Sequence, residues 1–254
     1  ETLKLSDELS TRIDPWIGIL EVELKLEDSL KDLRNERVQD IGDVIEEIDW
    51  SLQKIIAATQ ALAIDDNTYI VFTSDNGPWL IYGTHAGTAT PLRDGKGTTF
   101  DGGMRVMTVF SGPDIHQGII DDLGSQTDLF ATFTALAGFG SQTTAADSVD
   151  LSHTLRNGQP SPRTSIPFYS GSELRAFRYQ DHKVHFVTQG AYGMKPAREV
   201  HQPAMLIDLK ADVGEANNIA KNNPQRVLEV VQQAETFKQS ITVAPSILDR
   251  QFVD

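Results

Sequence analysis

Cysteine is absent from the 254 residues. That removes disulfides, thiolate nucleophiles and zinc–thiolate sites from consideration, but leaves the compartment open, since bridge-free proteins occur inside and outside cells. Long uncharged apolar runs are also lacking, and a membrane-crossing helix needs about 20 such residues. Positive charge is scarce: 22 Lys and Arg against 36 Asp and Glu give a net charge of −14, which argues against nucleic acid as a partner. No N-x-[ST] sequon occurs, and neither does H-E-x-x-H, G-x-S-x-G or G-x-G-x-x-G. The first residue is Glu1, with no leader of the basic, apolar, small-residue form, so the chain reads as mature, processed or cut from something longer.

What is present supports a folded core, because hydrophobic residues at 39% outweigh charged ones at 23%. Residues 1–35 are ambiguous: Leu20, Val22, Leu24 and Leu26 follow a strand period, while Leu26, Leu30 and Leu33 follow a helical one. Over 38–63 the apolar residues Ile41, Val44, Ile45, Ile48, Leu52, Ile55, Ile56 and Leu62 recur at spacings of three and four, which predicts one amphipathic helix. Asp65-Asp66-Asn67 ends it. Tyr69–Thr73 then reads as a strand buried on both faces, as in α/β sheets.

Residues 75–105 form a long loop with glycine at 77, 83, 87, 95, 97, 102 and 103; loops of that length inside a folded chain are usually functional. A strand is expected at Met104–Phe110, and a helix at Leu129–Leu136 stopped by Gly138. Residues 140–165 read as a polar linker. Strands follow at Ile166–Tyr169, Leu174–Tyr179, Lys183–Thr188 and Met205–Leu209, with a hairpin turn at Gln180-Asp181-His182. Pro224–Gln239 is a last amphipathic helix.

Two stretches could carry chemistry. Ser74-Asp75-Asn76-Gly77-Pro78 stands at the carboxyl end of the inner strand, where open α/β sheets bind ligands. A carboxylate beside an amide oxygen suits a hard cation such as Ca²⁺ or Mg²⁺; the same peptide also makes a simple turn. In Gly95-Lys96-Gly97 the lysine is flanked by residues that let backbone approach a ligand closely, and its ammonium can meet a sulfate or phosphate. The alternative is a mobile basic surface loop, and the P-loop spacing is not met. Among the histidines, His85 and His201 lie in loops and His182 and His185 at strand positions; a lone histidine is more often surface or core filler than catalytic.

Taken together, three runs resemble the sulfatase family, and arylsulfatases in particular: Asp66–Pro78, Tyr82–Gly87 and Pro91–Val106. Thr127–Thr132 with Leu136-Ala-Gly138, Lys183–Gly190 and Asp208–Ile219 continue the likeness in order, from about residue 40 to about 240. The resemblance implies a partial doubly wound α/β/α sandwich of sulfatase type over 1–150. A small antiparallel sheet with a C-terminal helix then occupies 151–254. It also implies sulfate-ester hydrolysis with a divalent metal, Ca²⁺ before Mg²⁺, held by Asp75 and Asn76. Lys96 would bind the sulfate and stabilise the leaving group, His201 would be catalytic, and His85 would lie near the substrate. A sulfated small molecule or sulfated carbohydrate would be the substrate. Family members are mostly secreted, lysosomal or periplasmic.

The family nucleophile is a formylglycine made in a C/S-x-P-S-R motif, and the chain holds no cysteine and no serine in that setting. The family's N-terminal Asp-Asp metal pair is missing too. The expectation is therefore a C-terminal portion, inactive alone, with the formylglycine in an upstream segment or on a second chain carrying the N-terminal half. A non-catalytic homologue and a phosphoryl or phosphonate hydrolase of the same superfamily stand as alternatives. Exposure of one face of the helix at 38–63, or of a sheet edge, would be the structural cost of such a half.

Overall fold

The computed structural model describes residues 28–139 and 147–241, so the strand period at Leu20–Leu26 lies outside the described residues. They fall into two units: Asp28–Ala61 with Tyr82–His85, and the remainder.

The first unit is built on one helix, α1 (Asp28–Ala61), which starts ten residues earlier than the apolar stripe suggests. Val44, Ile45, Ile48 and Ile55 on that stripe are all exposed. A helix stripe of this width ordinarily faces a core, yet these four side chains face water.

The second unit opens with a single turn at Asp65–Asn67 and strand β1 (Ile70–Thr73). The strand is half-buried along its length rather than buried on both faces. It pairs antiparallel with β2 (Thr108–Ser111), Ile70 opposite Ser111 and Thr73 opposite Thr108. The glycine-rich stretch between them is far from structureless, and its second half contains the short helix α2 (Asp101–Met104). Helix α3 (Leu129–Leu136) is as expected, and the left-handed Gly138 follows it. Within the stretch read as a linker, residues 140–146 lie outside the described residues, and Ser152–Asn157 forms a short helix, α4, closed by left-handed Gly158. Six residues are too few for an apolar period to stand out in sequence.

The C-terminal portion is a four-stranded antiparallel meander, β3 (Ser165–Ser170), β4 (Glu173–Tyr179), β5 (His182–Thr188) and β6 (Glu199–Asp208), in the order β3-β4-β5-β6. The β4–β5 hairpin pairs Tyr179 with His182 across a Gln180-Asp181 loop, and Gln180 takes the left-handed φ of 53° that so tight a turn needs. Helix α5 (Pro224–Ser240) lays Val227, Val230 and Ala234 against Phe177, Val184 and Leu206. Proline at its first position suits an amide that has no partner there anyway. The architecture is thus mixed α/β, with a small antiparallel sheet and a terminal helix.

Strand β5 is covered on both faces, and this positions the site. Side chains alternate along a strand, so Val184 faces the α5 core while Lys183 and His185 point the other way. Both are completely buried, and what covers them is the glycine-rich loop at 93–103.

Candidate functional site

Two chain segments cross at the end of β1. The amide of Gly77 donates to the carbonyl of Gly103 at 3.0 Å, and the amide of Lys96 donates to the carbonyl of Pro78 at 2.9 Å. The crossing is close enough to demand glycine. A Cβ on Gly77 would stand 1.7 Å from the Gly102 oxygen, and one on Gly95 would stand 2.3 Å from the Pro78 oxygen. Within the loop, Gly102 N donates to Arg93 O at 2.9 Å and Thr98 N to Gly95 O at 3.2 Å, and Thr98, Thr99 and Phe100 are buried. The loop carrying Lys96 is therefore a fixed element and not a mobile surface excursion.

The turn is held from its other side too. Ser74 Oγ donates to the carbonyl of Asn76 at 2.9 Å, and the Gln126 side-chain amide donates to the carbonyl of Ser74. These bonds use the backbone and leave the side chains free. Among the described residues, the Asp75 carboxylate and the Asn76 amide have no hydrogen-bond or ion-pair partner, and Asp75 is exposed. Two neighbouring hard oxygens held on a fixed turn fit a divalent cation of the Ca²⁺ or Mg²⁺ type. They fit as part of a shell only, because Ca²⁺ takes six to eight oxygens, and no group of three or more His, Asp or Glu able to hold a metal occurs among the described residues. The Lys96 ammonium lies 4.9 Å from the centroid of the Trp79 ring, and the lysine is half-buried.

The structure thus ties the backbone of Lys96 to that of Pro78, two residues past Asn76. His201 sits elsewhere in the same unit, on β6. Its Nε2 is 2.8 Å from Thr188 Oγ1 on β5, and its Nδ1 is 3.7 Å from Glu199. It makes no bond to the other three among the described residues. His85 belongs to the unit of α1, where it is exposed at the end of the short 3₁₀ stretch Leu80–His85.

Beneath the crossing lies a group of buried charges that sequence reasoning left unassigned. Lys183 Nζ is 2.8 Å from Asp101 Oδ1 and 3.0 Å from Glu215 Oε1, and His185 Nε2 is 2.8 Å from that same Glu215 oxygen. The other Glu215 oxygen accepts from the Asp101 amide at 2.5 Å, and the Glu215 carbonyl accepts from Arg93 at 2.8 Å. All four charged or titratable side chains are at most 2% exposed. Burial works to raise the Glu215 carboxyl, but the His185 hydrogen bond, the Lys183 charge and the Asp101 amide outweigh it and leave it at about 2. Burial pushes His185 below its usual 6.5, with the Glu215 bond opposing, so the imidazole is neutral at physiological pH and donates from Nε2 to the carboxylate. The ring stacks against Phe100 at 4.9 Å. This group fastens both ends of the loop bearing Lys96: Arg93 before it and Asp101 after it.

In the sequence His185 lies at a strand position and Asp101 in the glycine-rich stretch, and nothing local sets Lys183 or Glu215 apart. The available signal was that all four fall within the runs already matched to one family.

Comparison with known proteins agrees with that match. A family model described as sulfatase matches residues 10–139, just over half of the chain, and one described as the C-terminal region of aryl-sulfatase matches residues 161–253. Arylsulfatase A of Bos taurus is 34% identical over 222 residues, covering 80% of this chain and 44% of that protein. Human N-acetylgalactosamine-6-sulfatase is 40% identical over 151 residues, covering 58% of this chain and 29% of that one. A sulfatase structure from Pseudoalteromonas sp. superimposes with a TM-score of 0.67 at 23% identity, over 78% of this chain and 42% of the other. A structure tied to glycosaminoglycan metabolism in Bacteroides thetaiotaomicron gives 0.63 at 29%, over 78% and 44%. Fold and motifs together define a mixed α/β protein of the sulfatase type. The chain belongs to the sulfatase family, and it spans less than half the length of these curated relatives.

Proposed function

We propose that the whole protein hydrolyses a sulfate ester, and that these residues supply one side of its active site. The observation that carries the reading is the reciprocal crossing of the Asp75-Asn76 turn with the Lys96 loop, through Gly77 to Gly103 and Lys96 to Pro78. A fixed pair of oxygen donors and a fixed ammonium on adjoining backbones can face one anion together. A bound divalent cation supplies positive charge to the ester oxygens there. Lys96 holds the sulfate and offsets charge that develops on the leaving oxygen, which is worth most where the donor needs no rearrangement. Asp75 and Asn76 orient the cation, and the glycines keep side chains out of the anion's path.

The nucleophile belongs to sequence other than these 254 residues, because none of them is a cysteine or a serine in the S-x-P-S-R setting. In this reading the isolated chain binds but does not turn over, and the exposed stripe of α1 is covered by another part of the protein or by a second chain. His201 and His85 are assigned no step here.

The test is sulfate release by the full-length protein from p-nitrophenyl sulfate, with and without Ca²⁺, against the matching phosphate ester. Metal-dependent release from the sulfate, lost in Lys96→Ala, supports the reading. Preference for the phosphate ester would move the protein to the phosphoryl branch, and binding of sulfate without turnover would mark a non-catalytic homologue.

A further inference from the structure

Three segments of chain converge beside Lys96 in a way the site described so far does not use. Trp79 follows the Asp75-Asn76 turn by three residues, and its ring centroid lies 5.4 Å from that of Tyr192, the planes tilted by 42°. The Lys96 ammonium lies 4.9 Å from the Trp79 centroid. Gly97, at a φ of 89°, is the close approach that makes this fit: a Cβ there would stand 2.9 Å from Ala191 Cβ and 3.1 Å from the Tyr192 ring.

Tyr192 is unusual twice over. It is 56% exposed, although a tyrosine ring is a large apolar surface to leave in water. It also holds a left-handed φ of 53°, which a residue with a side chain adopts at a cost. The loop around it fixes that conformation, with Gly190 N donating to Pro196 O at 2.7 Å and Met194 N to Ala191 O at 2.9 Å. The backbone is thus held in a strained turn that leaves an aromatic ring exposed beside Trp79, the ring the Lys96 ammonium faces.

We infer that Trp79 and Tyr192 form a stacking wall for the ring that bears the sulfate, and that the wall selects a pyranose. The inference rests on the proposed role of Lys96 as the sulfate-binding group. A sulfated pyranose presents an anion at one end and an apolar C–H face beside it, and the wall offers an ammonium and aromatic faces in the same order. An apolar aryl or steroid group gains most from an enclosed slot with its faces covered. Two rings tilted by 42°, one of them mostly in water, make an open platform on which a sugar keeps its hydroxyls hydrated while its C–H face is covered.

The experiment uses the full-length protein with galactose 6-sulfate and p-nitrophenyl sulfate as esters and inorganic sulfate as inhibitor. Tyr192→Asn removes the ring with a residue that tolerates the left-handed backbone, Trp79→Leu removes the other, and Tyr192→Phe keeps the ring. The expected result is a KM for galactose 6-sulfate raised about three- to tenfold in the first two variants. Inhibition by sulfate stays unchanged, and Tyr192→Phe matches the parent. An unchanged KM for the sugar would overturn the inference. So would an equal loss of sulfate affinity, or an effect confined to p-nitrophenyl sulfate. If the parent protein hydrolyses neither ester, the function proposed above fails on its own. Calorimetry with galactose 6-sulfate then decides the wall: binding weakened by Tyr192→Asn supports it, and no binding refutes it.

Discussion

Asp75 and Glu215 are both loop carboxylates, and both lie one chain crossing away from the 93–103 segment, yet they live under opposite constraints. Glu215 is completely buried, with one oxygen between Lys183 and His185 and the other on the Asp101 amide. Asp75 is exposed and has no partner among the described residues. A carboxylate taken out of water must be paired, since an isolated buried charge costs several kcal/mol. One left at the surface with its turn already fixed by backbone bonds is free to bind something else. The comparison separates a region that holds the fold from one that the fold leaves open to solvent.

Removing one member of the buried group should have the largest effect. Glu215→Ala removes the acceptor that Lys183, His185 and the Asp101 amide share in a dry site, and we expect a loss of about 3–5 kcal/mol, read from urea unfolding. An exposed pair would give less than about 1 kcal/mol, so a small value would break the contrast. Leu206→Ala, in the core beneath α5 and fully buried, should cost about 3 kcal/mol by transfer and cavity terms. It should do so without touching cation binding. Gly77→Ala should fall between the two regions. Its Cβ would meet the Gly102 oxygen at 1.7 Å, so the crossing must open, at about 1–3 kcal/mol, and Ca²⁺ binding measured by calorimetry should weaken with it.

Acid probes the same contrast from the other direction. His185 is held below 6.5 and Glu215 at about 2, against 4.5 when unfolded. For both groups the unfolded chain binds protons more readily than the folded one. Their contribution is therefore complete above about pH 6.5 and is lost as pH falls, first through His185 and then through Glu215 between about 5 and 2. Unfolding midpoints measured from pH 8 to pH 3 should drop accordingly, and His185→Gln should remove the part of the drop above pH 5. The smallest effect on stability belongs to Asp75→Ala, within about 0.5 kcal/mol, paired with loss of the heat of Ca²⁺ binding. A substantial destabilisation there would mean that Asp75 serves the fold and would undo the comparison.

Much of the molecule is legible from local patterns. The hairpin at Gln180-Asp181, helix α3 with Gly138 behind it, and the stripe of α5 follow from periods and turn residues that act within a few positions. Helix α4 was not legible, being too short to show a period. The crossing at Gly77 and Gly103 was legible only in part. The clustering of glycine announced close approach, but not what approaches what, because residues 26 positions apart carry no mark of their contact.

The sequence by itself determined the family and the order of the longer elements, and it marked Asp75, Asn76 and Lys96 as candidates, because these rest on residue identity and on spacing along the chain. Only the tertiary structure decided that Lys183 and His185 lie buried against Asp101 and Glu215, and that Tyr192 stands beside Trp79. Alternation along β5 assigns each side chain to a face; whether that face meets water or a glycine loop depends on where distant segments pack, which no local pattern encodes.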